Sequence, residues 1–168
     1  VASSNPSEMR EWLEYLTSKG QDSIANERHA NGRDGPFKVD FVGIGNESWG
    51  CGGNMTPDYY ANELRRFGTF FHQKGFGFHN NQDNTAARVA SGANNLDTNW
   101  TDVVTKQAGH QMDAISLHFY ALKTGEWTNR NQAQATGFPE SEWNGILYQA
   151  MRMDDVLKAH EAVLDRND

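Results

Sequence analysis

One run constrains this chain more than any other: Val39-Asp40-Phe41-Val42-Gly43-Ile44-Gly45-Asn46-Glu47-Ser48-Trp49-Gly50-Cys51-Gly52-Gly53-Asn54. It begins apolar and β-branched, turns to a polar pair at Asn46-Glu47, and passes into a loop crowded with glycines. A buried parallel strand whose C-terminal end carries a site has this form. The apolar residues hold the strand in a core, and the polar pair lies where the strand leaves it. The glycines let backbone approach something bound. A lone Glu after a strand is usually a solvated loop residue. The Asn-Glu pair, Trp49 and the glycine cluster together favour a functional site.

The flanking sequence supplies elements of the same kind. Asn5-Pro6-Ser7-Glu8 has a cap, a proline for the first turn and a capping-box acid, so a helix is predicted from there. Met9, Trp12, Leu13 and Leu16 form its apolar stripe, and Gly20 ends it. Residues 21–36, with Arg28, His29, Arg33 and Asp34, read as a polar, solvated loop. The central strand is Val39 to Gly45. Thr56-Pro57-Asp58 starts a second helix, striped by Tyr60, Leu64, Phe67 and Phe71 and stopped by Gly75, before an irregular stretch to Thr85. A short strand, Ala87 to Ser91, ends at Gly92. A loop with candidate caps, Asn94 to Asn99, leads to a helix from Trp100 to Gln107, stopped by Gly109. The third strand is Ala114 to Tyr120, again apolar first and polar-aromatic at its end. Lys123 to Pro139 is a long loop, and one long helix is predicted over about Ser141 to Asp165.

Strands alternating with helices predict a parallel sheet with helices packed outside it, in an α/β fold. The notable polar residues fall at strand C-termini, which suits a barrel and a doubly wound sheet equally. No dinucleotide fingerprint or phosphate loop is present, and the 6 His have no ligand spacing, so neither cofactor nor metal is expected. A formal net charge of -7 argues against nucleic acid and against an anionic membrane surface. No apolar run is long enough to span a membrane. The single Cys, Cys51, reads as a small residue in a tight loop. The start, Val1-Ala2-Ser3-Ser4-Asn5-Pro6, has neither an initiator Met nor the form of a signal peptide, so the chain is expected to be cut from something longer.

At Gly45-Asn46-Glu47 the chain resembles the retaining glycosidases built on (β/α)8 barrels, in which an Asn-Glu pair ends the fourth strand. The run from Gly43 to Met55, followed by Pro57-Asp58-Tyr59-Tyr60, resembles glycoside hydrolase family 51, the α-L-arabinofuranosidases. Arg88-Val89-Ala90-Ser91-Gly92-Ala93 is similar to that family's fifth strand. Asn99-Trp100-Thr101 and Ile115-Ser116-Leu117-His118-Phe119-Tyr120 are similar to its fifth helix start and sixth strand, and Met151-Arg152-Met153 with His160 to its sixth helix. The resemblance implies that residues 1–168 are one fragment of a (β/α)8 (TIM) barrel catalytic domain, about strands 4 to 6 with flanking helices. It implies hydrolysis of terminal arabinofuranosyl residues from an arabinose-containing carbohydrate. By analogy it also implies a cytoplasmic location and a homo-oligomer in the full-length protein.

Position by position, the resemblance makes Glu47 the general acid/base and Asn46 the residue that bonds the sugar 2-hydroxyl. It makes Tyr120 the support of the nucleophile and His118 a lining residue, and Trp49 is near enough to line the pocket too. Protonating a poor leaving group at neutral pH calls for a carboxyl with a raised pKa, so burial or a second carboxylate is expected to lift that of Glu47. No second acid stands at a strand end. Asp113 precedes its strand, Asp83 and Asp97 lie in loops, and Glu126 follows the third strand without further support. The family's nucleophile, on the seventh strand, falls beyond Asp168. Another barrel glycosidase, such as an endoglucanase, and a non-catalytic sugar-binding module stay open as alternatives.

Overall fold

The computed structural model describes residues 2–70, 86–128 and 134–168, and its first helix starts at the expected capping box. Asn5 Oδ1 accepts from the Glu8 N–H at 3.0 Å, while Glu8 Oε2 accepts from the Asn5 N–H at 3.2 Å. Pro6 needs no intrahelical partner in the first turn, so helix α1 runs Pro6–Thr17. Leu13 is its buried anchor, whereas Trp12, expected on the same stripe, is exposed.

The stretch read as a solvated loop contains a helix, α2 (Ser23–Ala30). Asp22 caps it through the Ala25 N–H at 2.7 Å, and Ala25 is fully buried. Arg28, expected in solvent, is buried as well: its guanidinium donates to the carbonyls of Tyr15 at 2.9 Å and Asp34 at 3.3 Å. A helix of 8 residues with a weak apolar stripe leaves little periodicity to read, and the packing of α2 on α1 stabilises it.

Three strands follow: β1 (Phe41–Ile44), β2 (Ala87–Asn94) and β3 (Ala114–His118). They lie side by side in the order β1-β2-β3, all parallel. Helix α3 (Pro57–Gly68) connects towards β2, and α4 (Thr98–Ala108) with a 3₁₀ turn at Gly109–Gln111 connects β2 to β3. Thr56 and Asp97 cap α3 and α4 through the N–H groups of Tyr59 and Trp100. The expected end of the second helix, Phe71 and Gly75, and the irregular stretch to Thr85 lie outside the described residues.

The strands differ from expectation in length. β1 and β3 are shorter because their terminal residues already turn into the loops beyond them. β2 is longer: it continues through Gly92, which does not stop it but forms a bulge. Ser91 pairs with Ser116 and Asn94 with His118, so β2 carries one extra residue there. A Cβ at Gly92 would lie 1.6 Å from the Ser116 carbonyl oxygen, a backbone atom that cannot move aside. β1 is not buried on both faces. Val42 and Ile44 are buried while Phe41 is 69% exposed, so only one face meets the helices.

The predicted long C-terminal helix is two: α5 (Glu140–Met151) and α6 (Met153–Asn167), broken at Arg152. Leu13, Val42, Ile44, Tyr60, Leu64, Phe67, Trp100 and Val104 form the core between strands and helices. Helices α1 and α3, α3 and α4, and α4 and α6 pack on one another in a row.

At the centre of this core Tyr60 takes the place of a strand neighbour. Its hydroxyl donates to the Ile44 carbonyl at 2.5 Å and accepts from the Ser91 N–H at 2.6 Å. Its ring stacks on Trp100 at 5.4 Å, and Trp100 Nε1–H donates to the Ser91 carbonyl at 2.9 Å. Burial pushes the Tyr60 phenol pKa far up, so it remains a donor across the usual pH range. Tyr60→Phe leaves a buried N–H and a buried C=O without partners. It is expected to destabilise the fold by about 2–4 kcal/mol, read by urea unfolding, a large loss for the removal of one oxygen atom.

Candidate functional site

The site is assembled where β1 ends. Gly45 and then Glu47 adopt positive φ, 94° and 44°, which turns the chain sharply away from the sheet. A non-glycine residue in this region is uncommon, and strain of this kind clusters at functional sites. The turn is closed on itself. The N–H groups of Gly50 and Gly52 both donate to the Glu47 carbonyl, at 2.8 and 3.0 Å, and the Met55 N–H donates to Ser48 O at 2.8 Å. A Cβ at Gly52 would sit 1.6 Å from the Asn46 carbonyl oxygen, so only glycine fits there.

Two further bonds clamp the turn to β2. The Ser48 N–H donates to Ser91 Oγ at 3.2 Å, and Trp49 Nε1–H donates to the Gly92 carbonyl at 3.0 Å. The bulge at Gly92 turns that carbonyl towards Trp49 instead of a ladder partner.

Glu47 then receives three donors. The Tyr120 hydroxyl lies 2.7 Å and His118 Nδ1 2.9 Å from Oε1, and the Cys51 thiol lies 3.3 Å from Oε2. A carboxylate only accepts, so His118 carries its proton on Nδ1 in this contact. The Tyr120 hydroxyl, then His118 and Cys51, hold the Glu47 carboxyl below the usual glutamate value, outweighing the opposing effect of burial. In return, the bond to Glu47 pushes the Tyr120 phenol and the Cys51 thiol upward. The expectation of a raised Glu47 pKa is therefore corrected. Donors surround it, and among the described residues lining the adjoining cavity no second carboxylate is present to repel its charge.

That cavity, of about 350 Å³, is lined by Glu47, Trp49, Cys51, Asn94, Asn95, Tyr120, Leu122, Gly125 and Trp127. Of the five residues singled out from sequence, Glu47, Trp49 and Tyr120 line it. His118 lies behind Glu47, edge-on to Trp49 at 6.3 Å. Asn46 is exposed at the strand end and is not among the lining residues. Tyr120, expected to support a nucleophile, bonds to Glu47 itself. Glu126 is exposed and stands off the cavity, and Asp113 pairs with Arg88 at 3.0 Å at the opposite end of the strands, as its place in the sequence indicates.

Sequence reasoning missed Cys51, Asn95 and Trp127. Cys51 follows Glu47 by four residues inside a tight turn, a spacing that hints at contact only once the turn is known. Asn95, with φ 51°, is held from outside the cavity. Its N–H donates to the His118 carbonyl at 2.8 Å, and its carbonyl lies 2.7 Å from His160 Nε2. That carbonyl can only accept, so His160 is protonated on Nε2, and its Nδ1 faces the Thr101 hydroxyl at 2.7 Å. No spacing rule foretells this buried link from α6. Among the described residues no group of three or more His, Cys, Asp or Glu is arranged to hold a metal ion, and no helix is long and apolar enough to cross a membrane.

Fold and site together define a parallel α/β protein with a carboxylate-centred cleft at its strand mouths. Residues 3–137 match the family described as the α-L-arabinofuranosidase 1 domain, and the chain belongs to this family, within glycoside hydrolase family 51. It is 40% identical over its whole length to the intracellular exo-α-L-arabinofuranosidase of Bacteroides ovatus, spanning 31% of that protein. It superposes on the family 51 arabinofuranosidase of Xanthomonas axonopodis pv. citri with a TM-score of 0.87 at 36% identity, over 99% of this chain and 32% of that one. The thermostable family 51 α-L-arabinofuranosidase of Thermotoga petrophila gives a TM-score of 0.60 at 34% identity, over 71% of this chain and 23% of that one. The chain thus spans a third or less of the length of these relatives.

Replacing Tyr120 by Phe removes the largest influence on Glu47 and is expected to move its carboxyl pKa up towards the ordinary glutamate value. Carbon NMR of the side-chain carboxyl would follow this directly. Because the folded pKa is lowered, these bonds stabilise the fold above the ordinary glutamate pKa, and that contribution disappears as pH falls through the lowered value. The stabilities of wild type and Tyr120→Phe should therefore draw together in acid.

Proposed function

We propose that the complete protein hydrolyses terminal non-reducing α-L-arabinofuranosyl residues of arabinose-containing polysaccharides or oligosaccharides with retention, and that Glu47 is its general acid/base. One observation carries the reading. Glu47 is an oriented carboxylate, held by Tyr120, His118 and Cys51, on the wall of a strand-mouth cavity that it shares with Trp49, Tyr120, Trp127, Asn94 and Asn95. The family to which the chain belongs, and the names of its relatives, supply the sugar. By likeness to the Bacteroides relative we also propose that the protein works inside the cell.

In this reading Glu47 gives its proton to the departing glycosidic oxygen and then takes one from the water that completes the reaction. Its lowered pKa suits the second step. The first step needs the opposite shift, which the proposal assigns to a second carboxylate about 5–5.5 Å away and to substrate displacing Tyr120 from Oε1. That carboxylate, the nucleophile, is taken to come from the part of the longer relatives that this chain does not span. Asn46, exposed just beyond the end of β1, is proposed to reach the sugar in the complete protein, His118 to orient Glu47 from behind, and Trp49 to wall the cavity.

The architecture is read the same way. Three parallel strands in chain order, with α1, α3, α4 and α6 packed in a row, support one arc of a (β/α)8 barrel, about its strands 4 to 6. A site at the C-terminal ends of the strands accords with that fold.

In the full-length enzyme, Glu47→Ala should cost most on substrates with poor leaving groups and least on activated aryl glycosides, and azide should restore part of the lost turnover. Uniform losses with no azide effect would rule out the acid/base role. The 168-residue chain by itself is expected to release no nitrophenol from the aryl α-L-arabinofuranoside. Turnover within about tenfold of a full-length relative would require a nucleophile within the chain.

A further inference from the structure

Trp127 lines the cavity beside Tyr120, and the acid/base reading gives it no role. After β3 the chain makes a turn closed by the Gly125 N–H on the Leu122 carbonyl at 2.9 Å. Lys123, inside this turn, pairs with Glu142 of α5 at 2.5 Å, and both side chains are only partly exposed. The turn is therefore fastened to a helix. It carries Trp127, whose ring meets that of Tyr120 edge-on, with centroids 5.1 Å apart at 61°. The Tyr120 hydroxyl is in turn 2.7 Å from Glu47. A line of contacts thus runs from the carboxylate, through one aromatic ring, to a second that is 55% exposed.

An acid that protonates a glycosidic oxygen stands between two sugars, the one retained and the one that leaves. The terminal arabinose can be enclosed. The leaving sugar is continuous with the rest of its polymer or oligomer, so it must lie on the side open to solvent. Trp127 lines the same cavity as Glu47 and is itself largely exposed, which places it on the solvent side of that wall. An indole presents a broad flat surface at low entropic cost, suited to the C–H face of a sugar ring. At about 350 Å³ the cavity falls within the range of ligand clefts, roughly 300–1,000 Å³.

We infer that Trp127 is the stacking platform for the leaving-group sugar, and so the residue by which this site prefers a saccharide leaving group to a small one. The inference rests on the reading of Glu47 as the acid/base. It makes Trp127 a specificity residue, with no part in proton transfer or in holding the arabinose.

The test compares two substrates of the full-length enzyme: an L-arabinofuranosyl disaccharide, whose leaving group is a sugar ring, and methyl α-L-arabinofuranoside, whose leaving group has none. Trp127→Ala is expected to lower kcat/KM on the disaccharide about tenfold and on the methyl glycoside less than about twofold. Trp127→Phe, which keeps a flat face, should recover much of the loss. Equal losses on both substrates would make Trp127 a structural or arabinose-binding residue, and no loss on either would remove it from the site; each result overturns the inference. Glu47→Ala, run in parallel, separates the two readings. If it leaves both substrates turning over normally, the acid/base reading itself has failed. If it abolishes turnover while Trp127→Ala shows no preference between substrates, only the platform has failed.

Discussion

Everything at the strand-mouth end of this molecule hangs on a single hydroxyl group. Ile44 is the last residue of β1, and beyond it the chain must leave the sheet to form the Glu47 turn. Its carbonyl and the Ser91 N–H would both be orphaned in the core, where an unpaired backbone group costs about 1–3 kcal/mol. Tyr60 reaches across from α3 and satisfies both with one oxygen. Trp100, stacked on it, does the same for the Ser91 carbonyl, and the Ser91 side chain accepts from Ser48 in the turn itself. Helix packing, strand termination and the position of Glu47 are thereby one problem with one solution. At this point side chains stand in for ladder bonds.

The second constraint is backbone proximity. Two glycines, Gly52 against the Asn46 carbonyl and Gly92 against the Ser116 carbonyl, mark where main chains approach too closely for a Cβ. The first shapes the turn that holds Glu47 and Cys51. The second permits the bulge that offers its carbonyl to Trp49. Around this frame the carboxylate collects its donors from two directions, Cys51 from its own turn and His118 and Tyr120 from the end of β3. That explains why its charge is favoured here even though it is only slightly exposed.

Much of this was legible in the sequence, for identifiable reasons. Asn5-Pro6-Ser7-Glu8 and Thr56-Pro57 announce helices because capping and proline chemistry are local. The apolar-then-polar form of the strands announced both the parallel sheet and the end of it where the site lies. What was not legible depends on distant partners. The α2 helix is short and is stabilised by α1 and by burial of Arg28 among carbonyls, which no periodicity reports. Gly92 looks like a strand terminator unless its neighbour on β3 is known. The direction of the Glu47 pKa shift was misjudged because it is set by residues up to 73 positions away in the chain. The break at Arg152 likewise divides what reads as one continuous stripe.

The strand order β1-β2-β3 is also the order of synthesis, and the row of helices follows the same sequence. Each new strand–helix unit therefore finds its seat beside the one just completed, with no need to wait for distant chain. Pairing across the 46 residues from Phe41 to Ala87 is slow to form, as in parallel sheets generally, but units can dock in turn as the ribosome delivers them from the N-terminus. Such a chain can assemble by accretion. In that scheme β1 and α3 stand ready with the Tyr60 hydroxyl in place, and β2 docks beside them when Ser91 supplies its N–H.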